Sequence, residues 1–316
     1  MGKQGYSLRY RGARYRRRRI SAVIIPIVAV FVVLTVLFFV IGNALNDKTQ
    51  GENENHNGDG AQVPTAETEK QNAVPSSVVA YALDIEGAAA ASLAENISAL
   101  SGKGAKAVSV RVKGSGGALL YNSAVAKAMG YQSGSGLLNI ENLVSRAESR
   151  GMYVSAFLEL EALAETNAEV RALKLAYEAS VASELCSAGV DDVMIYARDA
   201  GSKDVSELVR LADSIKAINR NARIGIALDQ TFFKSENSAV DIDELSAAFD
   251  FLGLKFSAAE GVDVTEELER VIGEELYYIL RYNVRIVVPS PSSEENAQKI
   301  SAILSEESVG NVQYVK

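Results

Sequence analysis

The pattern of apolar and polar positions divides the chain into three regimes. Residues 20–42 are apolar apart from Ser21, Pro26 and Thr35, and no charge interrupts them. At about 1.5 Å per residue this run predicts a helix of roughly 34 Å, enough to cross a hydrocarbon core of about 30 Å. Residues 43–77 lack aromatic side chains and are rich in Asn, Glu, Gln and Gly. Such a stretch cannot bury enough surface to fold and is expected to be a flexible linker, with an r.m.s. reach on the order of 30 Å. From Val78 onward, short β-branched runs alternate with amphipathic stretches rich in Ala and Glu.

In that third region the predicted strands are 78–84, 107–113, 152–160, 192–198, 223–229, 249–256, 284–289 and 311–316. Helical patterns fall between them at 89–101, 140–150, 169–187, 205–219, 242–248, 265–281 and 293–305. Gly151, Gly189 and Asn283 stand where helices should stop, and Asn139 and Ser293 are candidate N-caps. Strand followed by helix, repeated to eight strands, is the arithmetic of an α/β fold of the (β/α)8 TIM-barrel type, expected over 78–316. A doubly wound open sheet is the competing arrangement.

Alternation along each strand assigns faces. Val79, Tyr81 and Leu83 should pack against helices, leaving Ala80, Ala82 and Asp84 inward. The strand at 223–229 gives the same split, with Gly225, Ala227 and Asp229 inward. Across the remaining strands the inferred top layer of the barrel is Asp84, Arg111, Lys113, Glu159, Tyr196, Arg198, Asp229 and Lys255. Working residues of such barrels sit where strands end. Asp84, Glu159 and Asp229 are therefore the candidate catalytic carboxylates of an acid–base or nucleophilic glycosidase. The alternative is a satisfied ion network that plugs the barrel. A third reading makes Arg111, Lys113, Arg198 and Lys255 an anion site. Tyr121 and Tyr131, in the glycine-rich insertion at 114–136, and Tyr196 are the candidate aromatic faces for a sugar, since the chain has no Trp.

Charge and composition narrow the partners. The chain has 32 Lys and Arg against 40 Asp and Glu, and eight of the cations lie before Ile20, so the part beyond residue 42 carries about −16. No nucleic-acid partner is expected for such a surface. Basic residues 3–19 precede the apolar run and no acid occurs before Asp47. This predicts a basic cytoplasmic tail at 1–19, a single span at 20–42 in membrane lipid, and an extracytoplasmic C-terminal domain. The rival reading of the run is a cleaved secretory signal, which its length and the poor Gly42-Asn43-Ala44 site disfavour. The single cysteine, Cys186, is expected to be a buried thiol. The only histidine, His56, lies in the linker, so His-based triads and His-ligated zinc are excluded from the domain. No metal or cofactor is expected.

Three segments together resemble a bacterial family of glycoside-hydrolase-like (β/α)8 domains, often membrane-anchored or secreted. They are Lys106-Ala107-Val108-Ser109-Val110-Arg111-Val112-Lys113-Gly114 with Leu119-Leu120-Tyr121-Asn122-Ser123 after it, Arg150-Gly151-Met152-Tyr153-Val154-Ser155-Ala156-Phe157, and Gly189-Val190-Asp191-Asp192-Val193-Met194-Ile195-Tyr196-Ala197-Arg198-Asp199. The frame matches, but the family's acids do not. Arg111 and Gly114 replace two Asp, Phe157 replaces an Arg, Tyr196 replaces an Asp, and Lys113 alone keeps its family identity. The resemblance thus implies a degenerate, non-catalytic member that binds polysaccharide or another envelope protein.

Overall fold

The computed structural model describes residues 77–85, 92–114, 117–131, 133–234, 238–257, 264–291 and 293–315. The expected tail, membrane span and linker therefore lie outside the described residues. Among the described residues no helix is long and apolar enough to cross a membrane.

Eight parallel strands close into a barrel. They are β1 (Val79–Leu83), β2 (Ala107–Arg111), β5 (Tyr153–Glu159), β6 (Asp192–Ala197), β7 (Ile224–Asp229), β8 (Phe251–Lys255), β9 (Arg285–Pro289) and β10 (Val312–Val315). β10 hydrogen-bonds to β1 in register Val79 with Val312, and this closure excludes the open-sheet alternative. The helices between them are α1 (Leu93–Gly102), α3 (Ile140–Glu148), α4 (Ala168–Ser187), α5 (Val205–Ile218), α7 (Ser238–Ala248), α8 (Val264–Arg281) and α9 (Glu294–Glu306), with a short α6 (Gln230–Phe233) directly after β7. The insertion after β2 builds β3 (Leu119–Tyr121), α2 (Ala124–Ala128) and β4 (Ser133–Leu138), with β3 and β4 paired as a small separate sheet.

The local signals act as their chemistry dictates. Asn139 Oδ1 accepts the Asn142 N–H at 2.8 Å, and Ser293 Oγ accepts the Asn296 N–H at 3.2 Å. Gly151, Gly189 and Asn283 adopt φ of 65°, 94° and 50°, the left-handed geometry that stops a helix before the next strand.

Outward side chains such as Val108, Val110, Ile195, Ile226 and Leu254 are fully buried against the helices. Along β1 this expectation fails in part. Val79 and Tyr81 are 40% and 41% exposed, and only Leu83 is buried. No described helix follows β10, so the outer face of β1 and β10 is a groove of about 450 Å³ where Tyr81 stacks on Tyr314 at 5.6 Å.

The interior is layered. Phe157, Met194, Tyr196, Ala227, Val287 and Val315 form an apolar layer. Small residues on β7 and β8 make room for it. A Cβ on Gly225 would meet the Phe251 ring at 2.3 Å, and one on Gly253 would meet Met194 Cε at 2.8 Å. Toward the amino ends of the strands lies a polar layer the sequence reading did not identify. Arg285 contacts Asp192, Ser155 and Gln313, Tyr153 donates to Asp192 at 2.8 Å, and Gln313 donates to Ser109 at 3.0 Å.

Candidate functional site at the barrel mouth

Five strands deliver polar groups to the carboxyl end of the barrel. Arg111, Glu159, Asp229 and Lys255 are the last residues of β2, β5, β7 and β8, and Arg198 follows β6. Phe157 and Tyr196, stacked at 5.8 Å, form the floor beneath them.

Glu159 is held between two guanidiniums. Arg111 Nη2 lies 3.5 Å from Oε2 and Arg198 Nη2 lies 2.5 Å from Oε1. Arg111 thus reaches across to the neighbouring strand β5. Both Glu159 oxygens are taken by cationic donors.

Asp229 is held differently. The Tyr196 hydroxyl donates to Oδ1 at 2.7 Å and the Asp199 N–H donates to Oδ2 at 2.8 Å. Asp199 has φ 55°, a left-handed turn that Asp tolerates better than most residues and that aims its N–H back at β7. Burial and the adjacent Asp229 carboxylate raise the Tyr196 phenol above its ordinary range, so it remains a donor. Lys255 is half-buried, pairs in register with Asp229, and donates to the Phe256 carbonyl at 2.9 Å. Asp84, just past β1, is half-buried.

Lys113, expected in the top layer, and Tyr121, expected as an exposed face of the insertion, are placed differently. β2 ends at Arg111, so alternation no longer governs Lys113, which bends over the end of β5. It is 3% exposed, and its Nζ reaches Glu178 Oε1 on α4 at 2.9 Å, the Glu159 carbonyl at 3.2 Å and Glu161 Oε2 at 3.4 Å. Burial raises the proton affinity of Glu178, while Lys113 and the Glu161 N–H oppose that shift. Tyr121 is also displaced from its expected role as an exposed face. It is buried, and its hydroxyl donates to Glu184 Oε2 at 2.7 Å. Glu184 also accepts the Ala124 and Val125 N–H groups at the start of α2 and so ties the insertion to α4. Tyr131 is 45% exposed, with its ring 4.4 Å from that of Tyr177.

Among the described residues no group of three or more His, Cys, Asp or Glu could hold a metal ion. Arg285 and Asp192 are the polar pair that sequence reasoning missed. Counting back by twos from Tyr196 and Val287 reaches both.

No family model matches the sequence, and no curated protein matches it. Solved structures do. A candidate alpha-L-fucosidase from Bacteroides thetaiotaomicron is 10% identical with a TM-score of 0.55, covering 81% of this chain and 91% of its own. A family 5 glycoside hydrolase from Bacteroides vulgatus is 11% identical with a TM-score of 0.46, over 74% of this chain and 55% of its own. The cellulose synthase subunit Z of Clostridioides difficile is 11% identical with a TM-score of 0.47, over 71% and 83%. The first likeness is one of fold: the chain is a TIM-type barrel.

Proposed function

We propose that this chain is a membrane-anchored, extracytoplasmic glycoside-hydrolase-like barrel that binds or scaffolds at the cell envelope without hydrolysing glycosidic bonds. The observation that carries the reading is the clamp of Arg111 and Arg198 on Glu159. A glycosidase needs one carboxyl able to give up a proton and a second to act as base or nucleophile, about 5 to 9.5 Å apart. Glu159 is neutralised by cations, and the family's own acids are replaced by Arg111, Gly114 and Tyr196. The partner is a polysaccharide or another envelope protein, and residues 20–42 supply the contact with membrane lipid.

The experiment is to incubate the full chain in detergent with peptidoglycan, chitin and β-glucans. No reducing sugar should appear, while the protein should be retained on at least one insoluble polymer. Turnover abolished by Glu159→Gln or Asp229→Asn would overturn the reading. Protease outside intact spheroplasts should remove the domain and spare the N-terminal segment, and an undegraded full-length chain would overturn the anchoring.

The alternative, an active carboxylate-dependent glycosidase, rests on Asp229. Among the described residues it has no cation within 4.0 Å, and Tyr196 and the Asp199 N–H orient it as a nucleophile would be oriented. It would still need an acid partner, for which Asp84 is the remaining candidate.

A further inference from the structure

At the mouth Arg111 and Arg198 both pair with Glu159, whereas Lys255, among the described residues, has no carboxylate within 4.0 Å and a single hydrogen bond, to the Phe256 carbonyl. It stands in register between Asp229 on β7 and the buried, apolar Val287 on β9. It thus has an apolar neighbour on one strand and an acidic one on the other. We infer that Lys255 is an imine-forming amine for a small carbonyl compound bearing a carboxylate, such as a 2-oxo acid.

The surroundings favour a reactive amine. Burial lowers the proton affinity of Lys255, Asp229 and Glu159 oppose that shift, and Arg198 and Arg111 reinforce it. A lysine desolvated beside other cations is the arrangement that activates an amine toward carbonyl carbon. The ligand's carboxylate has a receiver in Arg198, whose side chain is 59% exposed and uses Nη2 on Glu159, leaving guanidinium donors toward solvent.

The chemistry balances without a cofactor. A solvent water takes one proton from the Lys255 ammonium, and the amine lone pair attacks the carbonyl carbon as the C=O π pair moves to oxygen. The oxygen takes up two protons, one from the attacking nitrogen and one returned by solvent, and leaves as water as the C=N bond forms. Ammonium plus carbonyl thus gives protonated imine plus water.

This inference does not rest on glycan binding, and a chain that retains no polymer can still form the imine. The test treats the full chain in detergent with pyruvate and sodium cyanoborohydride near neutral pH, then maps reduced adducts by peptide mass spectrometry. Lys255 should be labelled several-fold faster than the exposed Lys203. Acetone, which lacks the carboxylate, should label Lys255 several-fold more slowly than pyruvate. Labelling of Lys255 no faster than Lys203 would overturn the proposal, and equal labelling by acetone would overturn the carboxylate requirement.

Discussion

Arg285 on β9 reaches across the barrel interior and grips both carboxylate oxygens of Asp192 on β6, Nη2 to Oδ2 at 2.7 Å and Nη1 to Oδ1 at 3.2 Å. Both residues are buried, and the guanidinium also lies over the Phe251 ring at 4.2 Å. A bidentate pair so enclosed costs much to desolvate, and its members depend on each other. Asp192→Ala is therefore expected to destabilise the domain by about 3 to 5 kcal/mol, because it strands a buried cation. Joint replacement, Asp192→Leu with Arg285→Met, should cost less than the single change. Urea unfolding followed by circular dichroism measures both, and a harmless Asp192→Ala would show that the pair is solvated.

Arg111→Ala is a milder case. Glu159 keeps its shorter contact with Arg198, so no carboxylate is left alone. The expected loss is about 1 kcal/mol, the upper end for a partly exposed pair. Removing Arg198 as well should cost more than the two single changes added, which a double-mutant cycle in urea would read.

Gly225 faces the interior where Phe251 fills the space a side chain would need. Gly225→Ala should displace the ring from its seat against Arg285 and destabilise by roughly 1 to 3 kcal/mol, the usual cost of overpacking. Thermal unfolding monitored by near-ultraviolet circular dichroism should show both the lowered midpoint and the disturbed aromatic signal.

Acidification tests the helix surface. Hydrogen bonds from Lys234 and Arg270 hold the Glu274 carboxyl down to about 2, against 4.5 for a free group. A depressed folded-state pKa means that the stabilisation is complete above pH 4.5 and is lost as pH falls through about 2. Melting temperatures across that interval should fall less in Glu274→Gln than in the parent, and added salt should shrink the difference because the site is exposed.

Cys186 is half-buried, and burial pushes its thiol up to about 12. The thiolate is the reactive form, so iodoacetamide near neutral pH should modify the folded chain far more slowly than the urea-unfolded one. Equal rates in the two states would contradict this packing.

Much of this architecture is legible in the sequence because strand periodicity is rigid. Gly225, Ala227 and Asp229 point inward as alternation requires, and Glu159, Arg198 and Lys255 reach the mouth. That legibility stops where the strand ends. Lys113 lies two residues beyond Arg111, and outside a ladder nothing enforces the period of two. The burial of Tyr121 is not legible because its partner Glu184 lies 63 residues away on α4, a pairing that no local pattern announces. Val79 and Tyr81 carry the outward pattern of buried residues, yet their exposure depends on whether a helix covers β10. Asp192 and Arg285 each begin a strand, where charged residues look like ordinary termini. Only closure of the barrel brings them together.

The pairing of β1 with β10 joins the two ends of the domain, and the Val78 N–H bonds Asn311 Oδ1 across 233 residues. During synthesis the earliest strand must wait for the last, with the facing edges of β1 and β9 unpaired in the meantime. Contacts of such long sequence separation form slowly, and open parallel edges invite pairing with other chains. Nascent chains stalled before residue 311 should therefore be the aggregation-prone and chaperone-dependent species of this protein.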